Sequence, residues 1–165
     1  MSGCSSHIPP EISHTLNGAP SVAQVRGQTD AYISQKIRWG GVILHTENKH
    51  NTSRLTIIAF PLNDNGKPNT SDQSPGRFIA ITDEFLEPLV YNRDREITVI
   101  GTLLRTETHK VDEFLYKYPV IQIDHYYLWP LRQELTDADY PPYWWYNPYY
   151  SRHPPHFYPR HYFRR

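Results

Sequence analysis

The chain has 165 residues, with Lys and Arg balanced by Asp and Glu at 17 each. That length allows one domain plus tails. No apolar run approaches the roughly 18–20 residues a membrane-spanning helix needs, and a single cysteine, Cys4, excludes an internal disulfide. The zero net charge hides an asymmetry. Residues 140–165 hold Arg152, Arg160, Arg164 and Arg165 and no acid, leaving 13 basic against 17 acidic residues upstream.

The N-terminus reads Met1-Ser2-Gly3-Cys4-Ser5-Ser6. Two small residues before a terminal cysteine resemble the lipobox of bacterial lipoproteins, in which the cysteine is acylated; Met1 stands where that motif usually has Leu. Only three residues precede Cys4, so the expectation is a mature form with a start residue or remnant attached. The competing reading is a free thiol on a frayed end. Residues 1–35 read as a lipid-anchored tether, with no persistent period from residue 5 and with Pro9, Pro10, Gly18, Pro20 and Gly27 as breaks. A short amphipathic piece, Val22 to Val25, is placed to dock on the body.

The body, 36–130, reads as all-β. Ile37 to His45 and Arg54 to Leu62 are aromatic- and branched-rich runs joined by the polar cluster Glu47 to Ser53, a hairpin pattern. Gly40-Gly41 inside the first run predicts a bulge or bend. Asn63 to Pro75 is a polar loop, and Arg77 to Thr82 a third strand. Asp83 to Glu87 looks like one helical turn with Asp83 as N-cap, stopped by Pro88. Arg95 to Leu104 is the clearest strand, with Ile97, Val99 and Leu103 on one face and Thr98 and Thr102 on the other. Arg105 to Leu115 reads as a polar loop. Tyr116 to Trp129 is the fifth strand, and Pro119 requires an edge there because it cannot donate a ladder bond. Three strands, a short helix, then two strands is the order of a small five-stranded OB-like barrel. An SH3-like barrel and a two-sheet sandwich stay open at this point.

Residues 131–165 form a C-terminal tail. From Tyr140, eleven of 26 residues are aromatic and six are proline. Such density favours extended polyproline-type chain. Trp144, Trp145 and Tyr146 are suited to headgroup level, and Arg160, Arg164 and Arg165 to anionic groups, so membrane or partner contact is the expectation. The competing reading is a free polar–aromatic extension.

The body resembles the Slp family of bacterial outer-membrane lipoproteins. The likeness is carried by Arg38-Trp39-Gly40-Gly41-Val42-Ile43, Pro61-Leu62, Gly66, Pro68, Ser74, Gly76-Arg77-Phe78, Phe85-Leu86-Glu87-Pro88 and Tyr91. It continues through Arg95, Thr98-Val99, Gly101, Tyr116, Tyr118-Pro119-Val120 and Leu128-Trp129. Two departures stand out: Asp112 where the family tends to have Gly, and Arg93-Asp94-Arg95 in place of a Gly-Arg-like turn. The resemblance implies a lipoprotein of the bacterial outer membrane with Cys4 as the acylated residue and the barrel facing the periplasm. Ser5 fits outer-membrane sorting, since Asp there is the usual retention signal. The family offers no active site to carry over.

A search for chemistry returns little. Gly-x-Ser-x-Gly, phosphate-loop and HExxH patterns are missing, so the chain is read as non-enzymatic and without a cofactor. Asp124-His125 has no partner nucleophile and reads as structural or exposed. Arg38 beside Trp39 reads as a brace, with a cation–π or carboxylate pair as the alternative. His153, His156 and His161 are weak metal candidates, because proline-rich chain does not preorganise ligands. The acidic body argues against a nucleic-acid partner. The leading expectation is an envelope interaction platform, alone or as a subunit of a larger assembly. The alternative is a periplasmic small-molecule or metal-binding barrel with a site near His45, His50 and His109.

Overall fold

Period-two burial builds the molecule. In the computed structural model, which describes residues 8–131 apart from 15, 17 and 72, five strands follow in chain order. They are β1 (Lys36–Asn48), β2 (Ser53–Phe60), β3 (Gly76–Thr82), β4 (Glu96–Val111) and β5 (Phe114–Leu128). They close into a ring in the order β1-β2-β3-β5-β4. All neighbours are antiparallel except β3 and β5, which run parallel from Ile79↔Val120 to Ile81↔Gln122. This ring is that of an OB-type barrel and removes the SH3-like and sandwich alternatives.

Alternate side chains fill the interior. Leu55 and Ile57 from β2, Phe78 and Ala80 from β3, Ile97, Val99 and Leu103 from β4, and Ile121 from β5 are fully buried there. Trp39 meets Phe78 edge-on at 5.2 Å between ring centroids. The face expected for Ile97, Val99 and Leu103 is the inward one. Thr98 on the opposite face is also buried, because the 63–68 loop and Trp129 cover it. Its Oγ1 donates to the Gly66 carbonyl (2.6 Å) and accepts from Trp129 Nε1 (2.9 Å).

Of the segment expected to be a tether, Ile8, Ile12, Val22, Val25 and Tyr32 pack against the barrel. A four-residue helix, α1 (Pro10–Ser13), buries Ile12 against Ile100 and Trp129. A second helix, α2 (Val22–Gly27), starts at a capping box: Ser21 Oγ accepts from Gln24 N–H, and Gln24 Oε1 accepts from Ser21 N–H. Its Val22 and Val25 complete the core. The expected docking of that piece is what the structure shows.

Three local expectations are corrected. The helical turn at Asp83–Glu87 does not form. Ser53 Oγ donates to the Glu84 carbonyl and accepts from Leu86 N–H, and Asn48 Nδ2 donates to the Leu86 carbonyl. The β1–β2 corner therefore takes the backbone groups a helix would use, and Leu86 turns inward instead. The bulge falls at Ile43/His45 and not at the glycines. Gly41 is required by close approach, since a Cβ there would run into the Ile58 carbonyl. Finally, Arg105–Leu115 is not a loop: β4 and β5 continue pairing out to Val111↔Phe114, around a tight turn at Asp112 and Glu113.

Candidate functional site

OB barrels present ligands on the outer face of strands 2 and 3, flanked by the 1–2 and 4–5 loops. Here much of that face is covered by the chain itself. Ile79 and Ile81 of β3 pack with Tyr118 and Val120 of β5, and Val111 from the far end of the hairpin joins them. The β4–β5 extension thus folds over the face and is fastened by charge. Glu107 accepts from Arg54 Nη2 at 2.6 Å, from Arg105 Nη2 at 2.6 Å and from His109 Nε2 at 2.8 Å. Burial raises the Glu107 carboxyl, but the hydrogen bonds from Arg54, His109 and Arg105 and the Arg54 charge outweigh it, bringing the group from 4.5 down to about 2. Both arginines are thereby committed to a carboxylate.

Between the hairpin and the barrel lies a cleft of about 170 Å³, lined by His45, Glu47, Arg54, His109 and Tyr118 among others. Two of the three histidines expected near the loops converge here, but from strands β1 and β4. His50 lies in the β1–β2 turn and does not line it. Among the described residues no group of three or more His, Cys, Asp or Glu side chains is arranged to hold a metal.

A larger groove, about 600 Å³, opens on another side of the barrel. The chain from Leu16 to Gln24, the start of β1, the end of β2 and the 73–75 loop enclose it. Arg38 sits at its edge and braces the fold as expected, with Nη1 donating to the Ile12 carbonyl (2.7 Å) and the Ser13 carbonyl (3.0 Å). Burial lowers its pKa. Several residues that carry the Slp resemblance, Arg38-Trp39-Gly40, Pro61-Leu62 and Ser74, line this groove.

The remaining expected positions are quickly placed. Asp124 forms an ion pair with Lys36 at 2.6 Å, and His125 is exposed. Tyr126 donates to Glu84 at 2.9 Å; burial, Tyr91 and Glu84 all raise its pKa. Cys4, His153, His156, His161, Trp144, Trp145, Tyr146, Arg160, Arg164 and Arg165 lie outside the described residues. The Glu107 cluster was not anticipated. Its signal was Arg105, Glu107 and His109 at spacing two, which puts all three on one strand face. The groove had no such signal, because chain distant from β1 forms half of it.

The ring order and the single extended hairpin define the class as an OB-type β-barrel. The chain belongs to the Outer membrane lipoprotein Slp family, whose match covers residues 1–155. It is similar to an uncharacterized protein of Haemophilus influenzae, 38% identical over 64% of this chain and 56% of that one. It is also similar to the uncharacterized lipoprotein YeaY of Escherichia coli, 29% identical over 69% and 58%. The chain thus spans a little over half the length of these curated relatives. Among solved structures it is similar to a small single-stranded DNA-binding protein from Streptomyces coelicolor, with TM-score 0.41 and 11% identity over 61% of this chain and 98% of that one. A mitochondrial single-stranded DNA-binding protein from S. cerevisiae gives TM-score 0.36 and 12% identity over 58% and 94%. These last two are likenesses of fold. No described helix is long and apolar enough to cross a membrane.

Proposed function

We propose that the protein is a non-enzymatic interaction platform of the outer membrane, anchored by acyl chains on Cys4, with its barrel in the periplasm. It acts alone or as a subunit of an envelope assembly and has no nucleic-acid partner. One observation carries the platform reading. Much of the outer face of β2 and β3 is given over to internal packing, with only the cleft of about 170 Å³ left open, while large apolar side chains project from a pinned loop. Phe85 is 70% and Leu89 83% exposed. Their loop is fixed by the Ser53 and Asn48 bonds and by Arg95, whose Nη1 donates to the Val90 carbonyl. Rigid, exposed apolar groups of this kind mark contact surfaces. Family membership supports the membrane location, and the lipobox-like Met1–Ser5 run supports Cys4 as the anchor.

The test is fractionation with mass spectrometry. Protein produced through the secretory route should carry acyl mass on Cys4 and sit in the outer membrane, and Cys4→Ser should release it. A bare thiol on membrane-bound protein would sink the anchor. Residues 140–165 are expected to add a weaker contact, through the aromatic residues 144–146 and Arg160, Arg164 and Arg165. Three acyl chains hide that contribution, so deletion should matter only in the Cys4→Ser background, with added salt mimicking part of it. Equal release with and without the tail, at low and high salt, removes the tail contact.

A further inference from the structure

We infer that the Trp39 groove is a binding site for a single acyl chain supplied from outside the protein. The lining is mainly apolar: Trp39, Phe60, Leu62, Leu16 and Val22, with Pro20, Pro61 and Pro75 beside them. Among the described residues, no carboxylate lines it. Its volume, about 600 Å³, lies in the range that encloses small ligands.

Hydrogen-bond accounting decides between occupants. A proline-rich peptide or a sugar needs free donors and acceptors in the walls. Trp39 Nε1, the donor such a peptide would use, already donates to the Pro20 carbonyl at 2.8 Å. Ser74 Oγ donates to the Ala59 carbonyl at 2.7 Å. Ser21 and Gln24 hold each other in the α2 cap, and Arg38 Nη1 is occupied by two carbonyls. Among the described residues, the exposed Gln73 apart, the walls therefore offer mainly apolar area, which fits a methylene chain whose head stays in water. Membership in an outer-membrane lipoprotein family places the domain beside a source of such chains. The inference does not depend on acylation of Cys4.

The probe is a series of saturated fatty acids of eight, ten and twelve carbons, below their micelle-forming concentrations. They are titrated against the full chain carrying Cys4→Ser, by displacement of a fluorescent fatty acid and by calorimetry. The expected result is one saturable site whose affinity rises about tenfold for each two methylenes added. Ala19→Trp, which fills the groove from its rim, should weaken the twelve-carbon acid at least tenfold at an unchanged melting temperature. Leu62→Gln serves as a second variant, with the same expected loss. Absence of saturable binding, affinity independent of chain length, or equal binding by both folded variants would overturn the assignment. So would full binding to Cys4→Ser with none to the acylated protein, because the chain's own lipid would then be the occupant.

Discussion

Glu107 fastens the β4–β5 extension to the barrel through one carboxylate, and Glu107→Gln removes the charge while keeping the shape. A carboxyl that moves from 4.5 to about 2 on folding contributes at most about 3 kcal/mol. Arg105 and His109 are half exposed, so solvent weakens those two arms. Arg54 is only 16% exposed and Glu107 20%, so most of the effect lies in that pair. Glu47, whose carboxylate is 4.0 Å from Arg54, takes up a little of the lost charge. The expected cost is about 2 kcal/mol at neutral pH. The sign follows from the lowered pKa: the stabilisation is present above about 4.5 and disappears as the pH falls through about 2. Urea unfolding of both proteins at neutral pH, and again in steps down to pH 2, measures this directly. A neutral-pH difference below about 0.5 kcal/mol, or one that persists undiminished at pH 2, refutes the assignment of the fastening to this carboxylate.

Three further outcomes are expected. Val25→Ala should lower stability by about 1–3 kcal/mol in a single unfolding transition, because α2 belongs to the core; a loss confined to a separate early transition would detach the helix from it. Gly41→Ala should prevent or severely weaken folding, read as loss of the cooperative melt, since no flexible side chain but the Ile58 carbonyl stands in the way. Asp112 sits at φ +54°, so Asp112→Gly should leave stability within about 0.5 kcal/mol, whereas Asp112→Val should cost about 1–2 kcal/mol by denaturant titration.

That last residue also shows what the sequence could reveal. Asp112, and Asp94 within the Arg93-Asp94-Arg95 turn, lie where the resemblance led one to expect departures from the family, and both adopt positive φ, where glycine is the relaxed choice. The strands were legible wherever one face met the core, as in Ile97, Val99 and Leu103. They were illegible beyond Leu104, because the hairpin there pairs with charge and hydroxyl side chains and its polar composition mimics a loop. The amphipathic piece Val22 to Val25 was readable, but its helix and cap were not read, and the burial of Val22 and Val25 depends on strands that come later. The turn at 83–87 had local helix signals that Ser53 and Asn48, far upstream, overrode. The groove was not legible: Arg38-Trp39-Gly40 stood out only as residues of the family likeness, and the facing wall comes from residues 16–24, which composition marked only as punctuated.

The ring has two seams that no local stretch of chain can make. Trp39 meets Val99 where β1 closes on β4, and Ala80 meets Ile121 where β3 closes on β5. A chain made N-terminus first supplies β1 and β2 long before the partners that complete them. Their hairpin can zip early, but Leu55 and Ile57 stay wet until β5 arrives. Val22 and Val25 wait as well, because the surface they cap does not yet exist. Distant pairings of this kind form slowly. Closure of the ring is therefore timed by the last strand, and until it arrives the apolar faces of the earlier strands have nothing to pack against.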